Sequence, residues 1–146
     1  MKARQLLLAA LVVLAPSTAW AQSGRVSFER VVAFDDSTPV LINQSSQMNF
    51  ALVFEFGGDP SATVIQTGTR NMTRILQFGD NASATVGQFG TTNTAMIRQF
   101  GNTTNSFLAQ FGQTNRASIG QFGGTNTASV GQFGGLNSSD VFQFQR

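Results

Sequence analysis

Gln66, Gln77, Gln88, Gln99, Gln110, Gln121, Gln132 and Gln143 stand eleven residues apart without a slip. Six of them open the tripeptide Gln-Phe-Gly, and most are followed at offset five by Asn and at offset nine by Ile, Leu or Val. So strict a period in a chain of 146 residues leaves room for little else. One short unit is stacked on itself, and repetition rather than a pocket is the expected source of function.

Weaker copies extend the pattern towards the N-terminus. Gln44 has Asn49, Ala51 and Val53 at offsets five, seven and nine, and Glu55-Phe56-Gly57 replaces the usual tripeptide. Pro60 stands where Asn is expected, with Ala62 and Val64 following in place. The repeat domain is therefore assigned to residues 44–146, ending in an unfinished copy at Gln143.

An eleven-residue period also fits three turns of α-helix and a right-handed coiled coil. The residues reject that reading, because each unit carries Gly, Asn and Thr or Ser, which are poor in helix interiors. Two-residue alternation fits better. Asn126, Ala128, Val130 and Gln132 fall on one side, with Thr127, Ser129 and Gly131 on the other. Asn115, Ala117, Ile119 and Gln121 keep the same phase, as do Asn93, Ala95, Ile97 and Gln99. Each unit is expected to be a strand of about seven residues followed by a Phe-Gly arc. Gly68, Gly79, Gly90, Gly101, Gly112, Gly123 and Gly134 take the arc positions, where the backbone must turn sharply.

Two units joined by such arcs make one rung of 22 residues. The expected fold is all-β, a flattened two-sheet β-solenoid of cross-β type, about four and a half rungs and on the order of 20 Å tall at the usual strand spacing. Val and Ile columns fill its thin core. Inward amides at Gln66, Asn71, Gln77, Gln88, Asn93, Gln99, Gln110, Asn115, Gln121, Asn126, Gln132, Asn137 and Gln143 would bond along the stack as an assembly ladder. Phe56, Phe78, Phe100, Phe122 and Phe144 would form one aromatic column. Phe89, Phe111 and Phe133 would form another, interrupted by Thr67.

Composition bounds the remaining possibilities. Lys2 and Arg4 precede an apolar run from Leu6 to Ala15 and the small-residue site Ala19-Trp20-Ala21, the pattern of a cleaved secretion signal over residues 1–21. The apolar run is shorter than the ~20 residues a membrane helix needs. Without residues 1–21, seven Arg face seven Asp plus Glu. That near-zero charge, with no Lys/Arg cluster, supports neither nucleic acid nor anionic lipid as a partner. Cysteine is absent although the signal points to an oxidising compartment, so stability must come from something other than disulfides.

No His, Cys or Tyr is present, and the carboxylates Glu29, Asp35, Asp36, Glu55, Asp59, Asp80 and Asp140 share no column. No nucleophile, general base or metal cluster can be assembled from them, and no cofactor is implied. A soluble solenoid with an ice- or carbohydrate-binding face is the alternative to a fibre. Thr92, Thr103, Thr114 and Thr125, however, sit in arcs rather than in recurring Thr-x-Thr pairs. A last strand left as a stub, with no capping helix, invites further copies end to end.

The motif Q-x-G-x-x-N-x-A-x-x-x-Q resembles the curlin repeat of bacterial curli fibres. Gln88, Gly90, Asn93, Ala95 and Gln99 match it at each fixed position, as do Gln110, Gly112, Asn115, Ala117 and Gln121. Departures are Asn81, one place early, Asn105, one place late with Ser106 in the Ala slot, and Thr73 and Ser139 for Ala. The resemblance implies a secreted functional amyloid of the fimbrial, biofilm-forming kind. It implies as partners further copies of itself, the other curli subunit, and the outer-membrane secretion pore with its accessory proteins. Residues 22–43 would then address the chain to that apparatus. The leader and the Arg-ending C-terminus look more like the minor, nucleating subunit, and the even, lightly charged repeats more like the major one.

Overall fold

The computed structural model describes residues 26–33 and 40–145; the expected signal segment, 1–21, lies outside them. Alternation of small or apolar residues with polar ones makes every second residue available to a core, and the chain takes that option rung after rung. Six strands result: β1 (Val26–Ala33), β2 (Val40–Phe56), β3 (Ser61–Phe78), β4 (Asn81–Phe100), β5 (Thr103–Phe122) and β6 (Thr125–Phe144). They pair in sequence order, all parallel. The register is fixed at 22 residues: Gln66 lies beside Gln88, Gln88 beside Gln110 and Gln110 beside Gln132. The fold is a parallel β-solenoid of about five turns with about 22 residues per rung.

Each long strand serves both sheets. In β4, Ala82, Ala84, Val86 and Gln88 are buried on one side of the core, and Asn93, Ala95, Ile97 and Gln99 on the other. Ala and β-branched or Leu side chains form the apolar part, with Val64, Val86, Leu108 and Val130 in one column. Val53, Ile75, Ile97 and Ile119 form the facing column. Small and medium side chains keep the two sheets close, so the core is one side-chain layer per sheet.

The strands are longer than the expected seven residues. Pairing continues round the arc at Phe89-Gly90, where Gly90 and Thr92 stay in register with Gly112 and Thr114. It skips a single residue per rung there, at 69, 91 and 113, and the strands break on the other edge, at 57–60, 79–80, 101–102 and 123–124. The reason is local: identical arcs stack on identical arcs, so backbone groups in the bend find partners one rung away.

Gly90 shows why the arc admits no other residue. Its φ is 137°, and a Cβ there would lie 1.8 Å from the carbonyl oxygen of Gly112. The stack is also longer than the repeat signature. Val26–Ala33 pairs with Met48–Glu55 at the same 22-residue register, although this segment carries neither the Gln nor the Phe-Gly mark.

Candidate functional site: two opposed amide ladders

The inward face of each rung ends in a glutamine, and the 22-residue register brings glutamines of successive rungs side by side. Gln44 Nε2 donates to Gln66 Oε1 (2.8 Å), Gln66 to Gln88 (2.7 Å), Gln88 to Gln110 (2.8 Å) and Gln110 to Gln132 (2.8 Å). On the opposite sheet Gln77 donates to Gln99, Gln99 to Gln121 and Gln121 to Gln143, each at 2.9 Å. Consecutive glutamines thus belong to different columns.

The second N–H of each amide crosses the core. Gln88 Nε2 donates to the carbonyl of Met72 (3.1 Å), Gln110 to that of Thr94 (3.1 Å) and Gln99 to that of Ser83 (3.1 Å). The acceptor lies 16 residues back, on the facing sheet one rung lower. A backbone carbonyl can only accept, so this bond fixes which amide atom is nitrogen and therefore the direction of the column. Each of these ladder glutamines from Gln44 to Gln121 donates towards the C-terminal end of the stack, and those with the second bond tie rung to rung and sheet to sheet with one side chain. Thr73 and Ser106 add hydroxyl donors, to Gln88 Oε1 and Gln121 Oε1, both at 2.9 Å.

The asparagine ladder runs the other way. Asn137 Nδ2 donates to Asn115 Oδ1, Asn115 to Asn93, Asn93 to Asn71 and Asn71 to Asn49, at 2.9, 3.0, 2.9 and 3.4 Å. A second bond from Asn137 Nδ2 to the Phe133 carbonyl (3.0 Å) sets its orientation. This ladder exists on one sheet only. On the facing sheet the equivalent column is Pro60, Ala82, Thr104 and Asn126, all buried. Asn126 is buried there, but its Nδ2 and the hydroxyl of Thr104 have no hydrogen-bond partner. Asn81 and Asn105, shifted by one place in sequence, point outward and are exposed.

Aromatic rings line both edges. Phe78, Phe100, Phe122 and Phe144 stack at 5.0–5.2 Å between centroids and within 10° of parallel. Phe89, Phe111 and Phe133 do so at 4.9 and 5.1 Å. Phe56 lies 6.0 Å from Phe78 at a tilt of 39°, and Thr67 takes the register place below Phe89. Gly68, Gly79, Gly101, Gly112, Gly123 and Gly134 share the positive φ of Gly90.

One member of the inward set was not singled out from the sequence. Glu55 occupies the column of Gln77, Gln99, Gln121 and Gln143 and is fully enclosed. Neither carboxylate oxygen has a partner, nor does Oε1 of Gln77 above it. Burial pushes its carboxyl up to about 7. Glu29, half-buried in β1, is raised by the same cause. The sequence signal was available: an acid stands where the period demands an amide.

The fold and its ladders define a class, the parallel β-solenoid whose core amides are bonded rung to rung. Within that class, the family model for the curlin associated repeat matches twice, over residues 57–90 and 90–123. Residues 57–123 are thus similar to the curlin associated repeat, which supports membership of the curlin family. Comparison with curated proteins and with solved structures gave no match.

Proposed function

We propose that this chain is a structural subunit of a curli-like extracellular amyloid fibre, adding copies end to end at the bacterial surface. The fibre would serve biofilm matrix, adhesion and cell aggregation. One observation carries the reading: every described rung repeats the one below it at a constant 22-residue register. Among the described residues, the upper face of β6 keeps the register and ladder positions found inside the stack, which favours continuation there.

Residues 1–21 would direct export and 22–43 would address the chain to an outer-membrane pore and its accessory proteins, with 44–146 forming the fibre. A second curli subunit is the expected partner in starting or extending it. The work of such a protein is mechanical and needs no catalytic group. The test is to incubate the purified protein with a dye specific for cross-β structure and record fibre diffraction. Reflections near about 4.7 and 10 Å are expected. Lasting monomer without them would overturn the fibre reading and favour a soluble binding solenoid. Seeding of a partner subunit at substoichiometric amounts would mark the nucleating type.

A further inference from the structure

The two ends of the stack carry complementary unpaired groups. At the C-terminal end, Gln132 and Gln143 in β6 use one N–H on the carbonyls of Arg116 and Thr127. Among the described residues, no rung above β6 takes the other. Asn137, the last of its ladder, donates downward and has its Oδ1 on the open side. At the N-terminal end the needs are the reverse. Gln44 Oε1 lacks a donor, Asn49 Nδ2 lacks an acceptor, and the Glu55 oxygens lack any partner.

These groups fall in the same columns. Position 44 continues through 66, 88 and 110 to 132, position 49 through 71, 93 and 115 to 137, and position 55 through 77, 99 and 121 to 143. A second copy whose β6 lay under β2 would therefore bring Gln132 to Gln44, Asn137 to Asn49 and Gln143 to Glu55. Donor would meet acceptor in all three. Val130 would meet Ile42 and Val141 would meet Val53, continuing the apolar columns.

Half of that place is already taken. β1 lies on Met48–Glu55 in the register that residues 136–143 of another copy would adopt. It is a poor occupant. It sets Ser27 beside Asn49 and Ala33 beside Glu55, residue types without an amide, and Asn49 Nδ2 and Glu55 stay unpartnered. The other half, 40–46, pairs with no described strand on that side, and Leu41 is 61% exposed.

We infer that β1 is an internal cap, holding the place that the last rung of a second copy takes when the fibre grows. The inference rests on the fibre reading and adds a gate to it. An incoming copy binds in proportion to the fraction of ends from which β1 has lifted. β1 slows growth, and the ladder groups it leaves unsatisfied favour its replacement by β6.

The test compares three proteins at equal concentration. Val31→Asp, at a half-buried position beside Val53, weakens the cap and raises the growth rate by about tenfold, the effect of a tenfold shift in the open fraction. The double substitution Ser27→Asn with Ala33→Gln gives β1 the missing amides and lowers the rate by a similar factor. Hydrogen exchange on the assembled fibre supplies a readout independent of rate: 48–55 stays protected while 26–33 exchanges freely. Fibres growing at one common rate, with 26–33 as protected as 48–55, would overturn the cap and leave the fibre reading standing. No fibre from any of the three would overturn both.

Discussion

Glu55 lies directly below Gln77 in the amide column, with no hydrogen bond between them. Everywhere above, the residue in this column donates to the Oε1 of the next. An ionised carboxylate cannot donate; a protonated one can, and its O–H would meet the unpartnered Gln77 Oε1.

The pH dependence follows. Burial raises the Glu55 carboxyl to about 7, so the folded stack binds this proton more tightly than the unfolded chain. Stability from Glu55 is complete below its unperturbed value of about 4.5 and is lost as pH rises towards 7. Of the charged groups nearby, Glu29 on β1 faces the same core and has the same sign. Arg30 and Arg74 are exposed on the outer face, Asp59 is exposed in the arc, and 40–46 and 61–66 across the core carry no charge. Denaturant midpoints should therefore fall between pH 4.5 and pH 8. Glu55→Gln should remove most of that fall, gaining on the order of 1–3 kcal/mol at pH 8, a figure kept low because only β1 separates the site from solvent.

Gln121 makes four bonds: it accepts from Gln99 and Ser106 and donates to Gln143 and the Asn105 carbonyl. Gln121→Leu fills the space but orphans all four partners. It should cost about 3–5 kcal/mol, since each buried unsatisfied group costs ~1–3. Thr127→Ala changes an exposed side chain and should stay within ~0.5 kcal/mol. Chemical denaturation checks the first difference, and assembly kinetics should show Gln121→Leu slower than Thr127→Ala. Equal behaviour would contradict the inward phase of the glutamines.

Much of this architecture can be read before any coordinates, because one residue type at one spacing is enough. Gln88 and Gln110 share a column as soon as eleven residues are taken as half a turn. The alternation of Asn93, Ala95 and Ile97 then sets the inward face. What escapes is whatever depends on the facing sheet or on the ends. The bond from Gln88 to the Met72 carbonyl requires the offset between sheets, which no spacing reveals. The direction of the glutamine ladder, opposite to that of the asparagines, depends on that bond. β1 escapes because pairing alone recruits it, without a glutamine or a glycine arc. Glu55 was visible as a lost amide, but its burial needed the strand beneath it.

Gly90 and Gly124 separate conformational need from mere flexibility. A Cβ on Gly90 would collide with the Gly112 carbonyl at 1.8 Å, on a backbone of φ 137°; at Gly124 nothing lies within 4 Å. The obstructing atom is backbone in register with six-stranded pairing, so it cannot move alone. Gly90→Ala should cost more than about 4 kcal/mol and abolish the ordered stack, while Gly124→Ala should fall within ~0.5 kcal/mol. Circular dichroism of the two variants, with denaturant midpoints where a fold persists, decides it. A folded Gly90→Ala protein of normal stability would show that the arc is less tightly stacked than the geometry demands.

Thr104 stands between Ala82 and Asn126 in the column where the second asparagine ladder fails. Its hydroxyl and the Asn126 Nδ2 are both buried and unpartnered. The opposite sheet shows what the position lacks: at the equivalent step Asn115 donates to Asn93 across 3.0 Å. Thr104→Asn should give Asn126 Nδ2 an acceptor in that geometry, while its own Nδ2, which meets only Ala82 below, replaces the Thr hydroxyl as an unpaired group, for a net loss of one orphan. The gain should be about 1 kcal/mol, the net worth of one buried hydrogen bond, reduced by whatever crowding the longer side chain meets beside Ala82. Thr104→Val, which keeps the shape and deletes the hydroxyl, should gain less because Asn126 stays unpaired. Denaturant midpoints in the order Asn, then Val, then the native Thr would establish that this half of the core is under-bonded. A Thr104→Asn protein less stable than Thr104→Val would instead mean that the facing sheets are too close here for an amide.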